Sequence, residues 1–219
     1  HDLVDRLERT PRSLGPFKVY LGLDFDVSQH GLPSHEYLFY DDYDHDRTFA
    51  ALERGEVSMV SAYSPVRADP GLAPKGHSTL ILTSMFPWRP TERDWREHEA
   101  GIANEMIAKV ERKIPGLREH IRERVVLTPE DLRRFSNATD GAMYGWANVP
   151  EASLLRRLRP ASPIGGLFHV GHWTQPGTGV TTAISSGYQI ALEILQNGHR
   201  TRTARLASRV AAVTANLHI

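Results

Sequence analysis

The side chains best placed for chemistry gather in one stretch, GGLFHVGHWTQPGTGVTTAISSGYQIALEIL, at residues 165–195. Gly171 directly follows an apolar run, where a glycine permits close backbone approach to a ligand. PGTGV (176–180) then feeds a helix whose free N–H groups and positive dipole end suit an anionic or electron-rich oxygen. The same turn serves equally as a tight strand-to-helix connection, and its composition leaves both readings open. His169 and His172 are three residues apart, but on a strand-to-loop turn they do not share a face, so no metal is expected there. YDDYDHD (40–46) offers carboxylates to a cation yet lacks EF-hand spacing and reads as a solvated turn. Phe86, Trp88, Tyr144, Trp146 and Trp173 could line an apolar tunnel. Core packing is the default for each. Loop placement favours a pocket role for Tyr144 and Trp146, and the adjacent turn favours it for Trp173. No Ser–His–Asp arrangement is visible as a motif, and no catalytic residue is assigned.

Several strands and helices must position these groups. GPFKVYLGLDF (15–25), HEYLFYDDYD (35–44, running into the acidic turn), VSMVSAYS (57–64) and STLILTSMF (78–86) read as strands. Between them, DRTFAALERGE (46–56) reads as a short helix with Phe49 and Leu52 three apart and Gly55 as its stop. ADPGLAPKGH (68–77) is a structured turn. From Thr91 or Glu92 the period becomes helical, carrying Trp95, Ile102, Met106 and Val110 inward until Pro115 and Gly116 stop it. VVLTPEDLRRF (125–135) predicts a strand, then a helix capped by Thr128 with Pro129 at its first position and Asp131 in its first turn. TDGAMYGWANVP (139–150) has no period and is a loop, whereas GLFHV (166–170) reads as a short buried strand. In the helix that follows, Val180, Ala183, Ile184, Gly187, Ala191, Ile194 and Leu195 form one inward stripe. Its small members predict close packing against a sheet or cofactor. A further helix is expected over 200–217.

Composition limits the partners. The 219 residues are 40% hydrophobic and 24% charged, with 26 basic against 26 acidic side chains. The balance gives no bulk attraction to nucleic acid or anionic lipid. The absence of cysteine excludes disulfides and Cys-based metal sites and points to a reducing compartment. No apolar run approaches the roughly 18 residues of a transmembrane helix. The chain opens on His1 without the basic and apolar regions of a signal peptide, which we read as a piece of something longer or a short natural protein behind tag residues.

The 165–195 stretch resembles the C-terminal flavin motif of the phytoene desaturase-like FAD-dependent oxidoreductases. These are relatives of the amine oxidase flavoproteins and include carotenoid desaturases, carotenoid isomerases and retinol saturases. Three more segments match in order: SAYSPVRADPGLAPKGHSTLIL (61–82), IPGLREHIRERVVLTPEDL (114–132) and GAMYGWANVPEASLLRRLRP (141–160). The likeness runs from about Phe17 to Leu195. It also exposes a gap, because the family opens on a Rossmann unit whose GxGxxG loop holds the FAD pyrophosphate. Neither GLPSHEYL (31–38) nor GTGVTTAISSG (177–187) fits that context.

The resemblance implies a C-terminal half: a substrate-binding domain over 1–160 and a returning FAD-domain segment over 161–219. The fold it implies is mixed α/β, a largely antiparallel sheet with covering helices plus a strand–loop–helix of the FAD domain. Carried over by residue, Gly171, His172, Trp173 and Thr174 lie along the ribityl chain of FAD. Pro176, Gly177, Thr178, Gly179, Val180 and Thr181 face its isoalloxazine ring near the pyrimidine edge. His172 departs from the acidic residue that amine oxidase relatives often carry after the glycine. Tyr144, Trp146 and Trp173 are the substrate-side candidates. The implied activity is hydride transfer between flavin and an apolar, isoprenoid-like substrate, by desaturation, saturation or isomerisation, with this piece inactive alone. The implied partner is the missing N-terminal half, in the same polypeptide or a partner subunit. The chain is expected to be cytoplasmic and able to sit peripherally on a membrane, with no nucleic acid bound. Two alternatives stand beside this: a non-catalytic protein binding lipophilic ligands, and an amine oxidase-type flavoenzyme.

Overall fold

Alternating apolar residues bury one face of strand β1 (Gly15–Leu23), with Phe17, Val19, Leu21 and Leu23 almost fully inaccessible. β4 (Ser78–Phe86) repeats the pattern with Leu80, Leu82 and Phe86 and lies antiparallel to β1, Val19 opposite Leu82. β5 (Ile121–Leu127) pairs with the other edge of β1, Val19 opposite Val126, and its register shifts at Gly22 and Leu23. β2 (Glu36–Tyr40) and β3 (Met59–Tyr63) complete a five-stranded antiparallel sheet of order β2-β3-β4-β1-β5. The computed structural model describes residues 2–29, 36–88, 95–153 and 156–196.

Helix α3 (Trp95–Glu111) contributes Trp95, Ile102, Met106 and Val110 to the same core as the sheet residues, together with Ala103 and Ile107. Phe17, Phe86 and Trp95 pack as one aromatic cluster with ring centroids 5.5–5.9 Å apart. The cap expected at Thr91 or Glu92 lies outside the described residues. Helix α2 (His45–Glu53) is capped by Asp44, whose carboxylate accepts the Arg47 N–H at 2.9 Å, and Gly55 leaves it in a left-handed conformation. Its buried face is Thr48, Ala51 and Leu52, while Phe49 is half exposed. Helix α1 (Asp2–Arg9) precedes the sheet and has no counterpart in the sequence reading.

Helix α4 (Pro129–Ser136) begins with a full capping box. Thr128 Oγ1 accepts the Asp131 N–H at 3.2 Å, and the Asp131 carboxylate accepts the Thr128 N–H at 2.9 Å. β1 starts hard against this helix. A Cβ on Gly15 would stand 2.6 Å from Pro129 Cβ and 2.7 Å from the Gly141 carbonyl oxygen, too close for any side chain.

The chain forms two compact units, His1–Ala147 and Asn148–Ile219. The division falls ahead of the one drawn at residue 160, because the segment before Pro160 is tied into the second unit. Leu158 bridges Thr174 in parallel, and the Leu158 carbonyl accepts the Gln175 N–H at 3.0 Å. Helix α5 covers 180–196. The helix expected over 200–217 lies outside the described residues.

Two expectations for the second unit are corrected. GLFHV (166–170) forms no strand: Phe168 makes one isolated bridge to Ala161, and Leu167 and Val170 are about half exposed. A strand must pair its backbone groups along its length. Here the bonds of Leu167 and His169 run to the local loop, at Ser162, Ile164 and Pro160. The stripe on α5 is apolar but not buried. Ser186 and Ile190 are the residues of α5 that are buried, Ala183 and Gly187 are half-buried, and Val180, Ile184, Ala191, Ile194 and Leu195 are exposed. Periodicity marks a face, but burial depends on what covers it.

Candidate functional site

The loop 171–179 is built on left-handed glycines, Gly171 at φ 99°, Gly177 at φ 131° and Gly179 at φ 98°. Their conformations bend the chain from 170 into the start of α5 within ten residues. Gly171 is fixed at both backbone groups. Its N–H donates to Ser186 Oγ at 2.8 Å, and its carbonyl accepts the Thr174 N–H at 3.1 Å and the Thr174 hydroxyl at 3.0 Å. Thr174 is buried. At the helix start the Thr182 hydroxyl lies within hydrogen-bond reach of the carbonyls of Gly177, Thr178 and Gly179, 3.2 Å from the first and 2.9 Å from the last, and its one proton is shared among them. It thereby closes the turn through carbonyl oxygens. The first N–H groups of α5 have no partner within the helix, as at any helix N-terminus. Val180 (78% exposed) and Thr181 are at the surface there.

Behind the loop sits Arg157, the largest fully buried side chain among the described residues, at 2% exposure. Its Nη1 donates to the His172 carbonyl at 2.8 Å and its Nη2 to Asn148 Oδ1 at 3.2 Å. Gly177 rests against it, since a Cβ at that position would stand 3.0 Å from Arg157 Nε. The Arg157 carbonyl accepts Gln175 Nε2 at 3.2 Å. Burial holds the guanidinium below the ordinary arginine value. Burial, and then the charge of Arg157, holds the His172 imidazole below its ordinary 6.5. His172 Nε2 is buried without a hydrogen-bond partner among the described residues, and its ring lies 5.7 Å from that of Trp173. Arg157 was not singled out from the sequence, where it stands beside Arg156 and two residues before Arg159.

Thus Gly171, His172, Trp173, Thr174, Pro176, Gly177, Thr178, Gly179, Val180 and Thr181 form one continuous turn, with Gly177 and Thr174 buried and Pro176, Gly179, Val180 and Thr181 outermost. The aromatic candidates divide between the units. Tyr144 and Trp146 belong to the first and Trp173 to the second. Trp146 is buried and bridges Arg12, while Tyr144 is 39% exposed and donates its N–H to Ser13 Oγ at 2.9 Å. Phe86 is core, and Trp88 lies under the Arg133 guanidinium at 5.5 Å. Two recesses of the first unit, of about 380 and 360 Å³, are lined by charged groups: Asp26, Arg67 and Lys75 in one, Asp41, Arg47 and Glu105 in the other. Val66, Pro70 and Pro74 also line the first, which is as apolar as it is polar, while the second is more polar. Among the described residues there is no group of three or more His, Asp or Glu that could hold a metal, and no helix long and apolar enough to cross a membrane.

The antiparallel sheet with covering helices, followed by a glycine turn and helix, is the mixed α/β architecture anticipated. A solved oxidoreductase from Methanosarcina mazei shares it, with a TM-score of 0.50 and 16% identity over 88% of this chain and 37% of that one. That likeness concerns the fold alone. In sequence the chain is 35% identical over 190 residues to the all-trans-zeta-carotene desaturase of Myxococcus xanthus, covering 82% of this chain and 35% of that protein. It is 32% identical to the neurosporene-forming phytoene desaturase of Rhodobacter capsulatus, covering 64% of this chain and 27% of that protein. It is 34% identical to prolycopene isomerase 1 of an Oncidium hybrid, covering 58% and 22%. No family model matches. The chain is thus similar in sequence to carotenoid desaturases and a prolycopene isomerase, and it spans about a third or less of the length of these proteins.

Proposed function

We propose that this chain is the C-terminal, substrate-binding part of an FAD-dependent oxidoreductase acting on long, apolar, carotenoid-like molecules. The observation that carries the reading is the 171–181 turn, three left-handed glycines leading to an exposed helix N-terminus, on a chain similar in sequence to carotenoid desaturases and isomerases. The residues present fit a flavin. A Cβ on Gly171 would meet nothing within 4 Å, so the backbone there is open to a flat ligand. Gly171 to Thr174 would lie along the ribityl chain, and Pro176 to Thr181 would face the pyrimidine edge of the ring. There the free N–H groups of α5 favour negative charge. When bound, the flavin supplies the hydride acceptor or donor.

The chain's own residues orient and enclose. Tyr144 and Trp146 in the first unit are proposed as apolar contacts to the substrate, and Trp173 in the second is proposed separately as another. The substrate-binding role goes to 1–160 and the flavin-contacting role to 161–219, with the segment 148–160 forming one compact unit with the latter and supporting its turn through Arg157. The grip on the pyrophosphate comes from a Rossmann half outside these residues, in the same polypeptide or a partner subunit. Val180, Ile184, Tyr188 and Leu192, exposed at four-residue spacing along α5, are the surface proposed to be covered by it. The intact enzyme works in the cytoplasm and touches membranes peripherally to collect its substrate.

The test is to purify the native polypeptide from the source cells, size it and release its cofactor. The expected result is a chain longer by on the order of 200 residues, the size of a further domain, carrying FAD. A colourless polypeptide of this chain's own size, with no flavin-bearing partner, would leave a non-catalytic lipophilic-ligand protein in its place.

A further inference from the structure

Arg157 is unusual on physical grounds. Arginine is almost never fully buried unless its charge is put to use, because removing the ion from water costs more than its hydrogen bonds return. Here the planar fork reaches from Asn148 to the carbonyl of His172, while Gly177 lies on its Nε edge. One rigid side chain therefore touches both arms of the turn, 171–174 and 176–179. A lysine could not span both contacts, since it lacks the fork.

We propose that Arg157 is the positioning residue of the flavin-contacting turn. It clamps the His172 and Gly177 arms from behind and sets a fixed positive charge beneath them that favours the anionic, reduced flavin over the oxidised one. This rests on the flavin reading of the turn. The charge is desolvated, so it acts through a medium that screens it less than water does. It lies on the same side of charge balance as the helix dipole of α5, and the two reinforce each other. Such a residue separates into two effects: geometry, which needs the fork, and potential, which needs only the charge.

The experiment compares Arg157→Lys and Arg157→Met with the wild type in the intact, flavin-loaded protein. It reads flavin dissociation constant, flavin midpoint potential and the NMR titration of His172. Arg157→Lys is expected to weaken flavin binding on the order of tenfold, the scale of a lost charge-assisted hydrogen bond, while holding the midpoint potential near that of the wild type. Arg157→Met is expected to weaken binding as well, to move the potential to a more negative value, and to let the His172 titration rise as the neighbouring charge disappears. A purely structural arginine would change affinity but leave the potential of the remaining bound flavin unmoved. Should Arg157→Met not fold, Arg157→Lys decides alone: unchanged flavin affinity overturns the clamp, and a more negative potential despite the retained charge overturns the charge role. Wild-type affinity and potential in Arg157→Met overturn the proposal while the flavin reading stands. A wild type that takes up no flavin overturns both the flavin reading and the charge role. Amide exchange at 171–177 in Arg157→Lys then still tests the clamp, and exchange as slow as in the wild type overturns it.

Discussion

Ser186 and Gly171 are joined across fifteen residues: the Gly171 N–H donates to Ser186 Oγ at 2.8 Å, and the same hydroxyl donates to the Ala183 carbonyl at 2.8 Å. Ser186 is buried on α5, so the helix holds the very glycine at which the turn begins. Replacing Ser186 by alanine strands a partly buried N–H. That costs about 1–3 kcal/mol, and the loss should appear as a lower urea midpoint. Flavin affinity should fall with it, since the first residue of the turn is no longer held.

Gly177 and Gly171 separate steric from conformational cost. Both have positive φ, but a Cβ on Gly177 meets the Arg157 guanidinium edge at 3.0 Å, whereas one on Gly171 meets nothing within 4 Å. Gly171→Ala should therefore show backbone strain alone, of about 1–3 kcal/mol. Gly177→Ala should exceed it, because Arg157 must also yield. Chemical denaturation of the two variants in parallel gives the order, and equal losses would contradict the packing of Arg157 under the turn.

Thr128→Ala removes one half of the capping box of α4, leaving the Asp131 N–H without its side-chain partner. The expected loss is about 1 kcal/mol. The helix packs where Gly15 opens β1, so the effect should be read in global unfolding rather than as local fraying. Thr128→Ser, which keeps the hydroxyl, should recover most of it.

Asp24, at the end of β1, accepts His120 Nδ1 at 2.7 Å and Arg122 Nε at 2.6 Å. The His120 hydrogen bond foremost, with Arg122 beside it, holds its carboxyl below the ordinary 3.8. A carboxylate held low contributes stability that is complete above its unfolded value and disappears as pH falls through the folded one. Urea midpoints followed from about pH 6 to about pH 2 should thus decline less steeply in Asp24→Asn than in the wild type, and the two should converge in acid.

The sheet was legible because period-two burial writes itself directly into sequence: Phe17, Val19, Leu21 and Leu23, then Leu80, Leu82 and Phe86, needed no partner to identify their face. The capped start of α4 was legible because Thr128, Pro129 and Asp131 act locally. Burial in the second unit was not, since it depends on neighbours. GLFHV has strand composition but only a loop to bond to, and the apolar stripe of α5 is mostly uncovered among the described residues. The turn itself could be read from its glycines, whereas Arg157, which holds it, looks like any other arginine until its carbonyl partner across fifteen residues is seen. Helix α1 was missed because it spans only eight residues, too short a window for Leu3, Val4 and Leu7 to establish a helical period.

The most direct measurement is amide hydrogen exchange across residues 171–181 in the intact protein, with and without FAD. A flavin lying on this turn should slow exchange at Gly171–Thr174 and Gly177–Thr181 when it binds, while the β1–β4 core amides stay unchanged. A protein that binds FAD yet shows no added protection across the turn would contradict its assignment as the flavin-contacting segment.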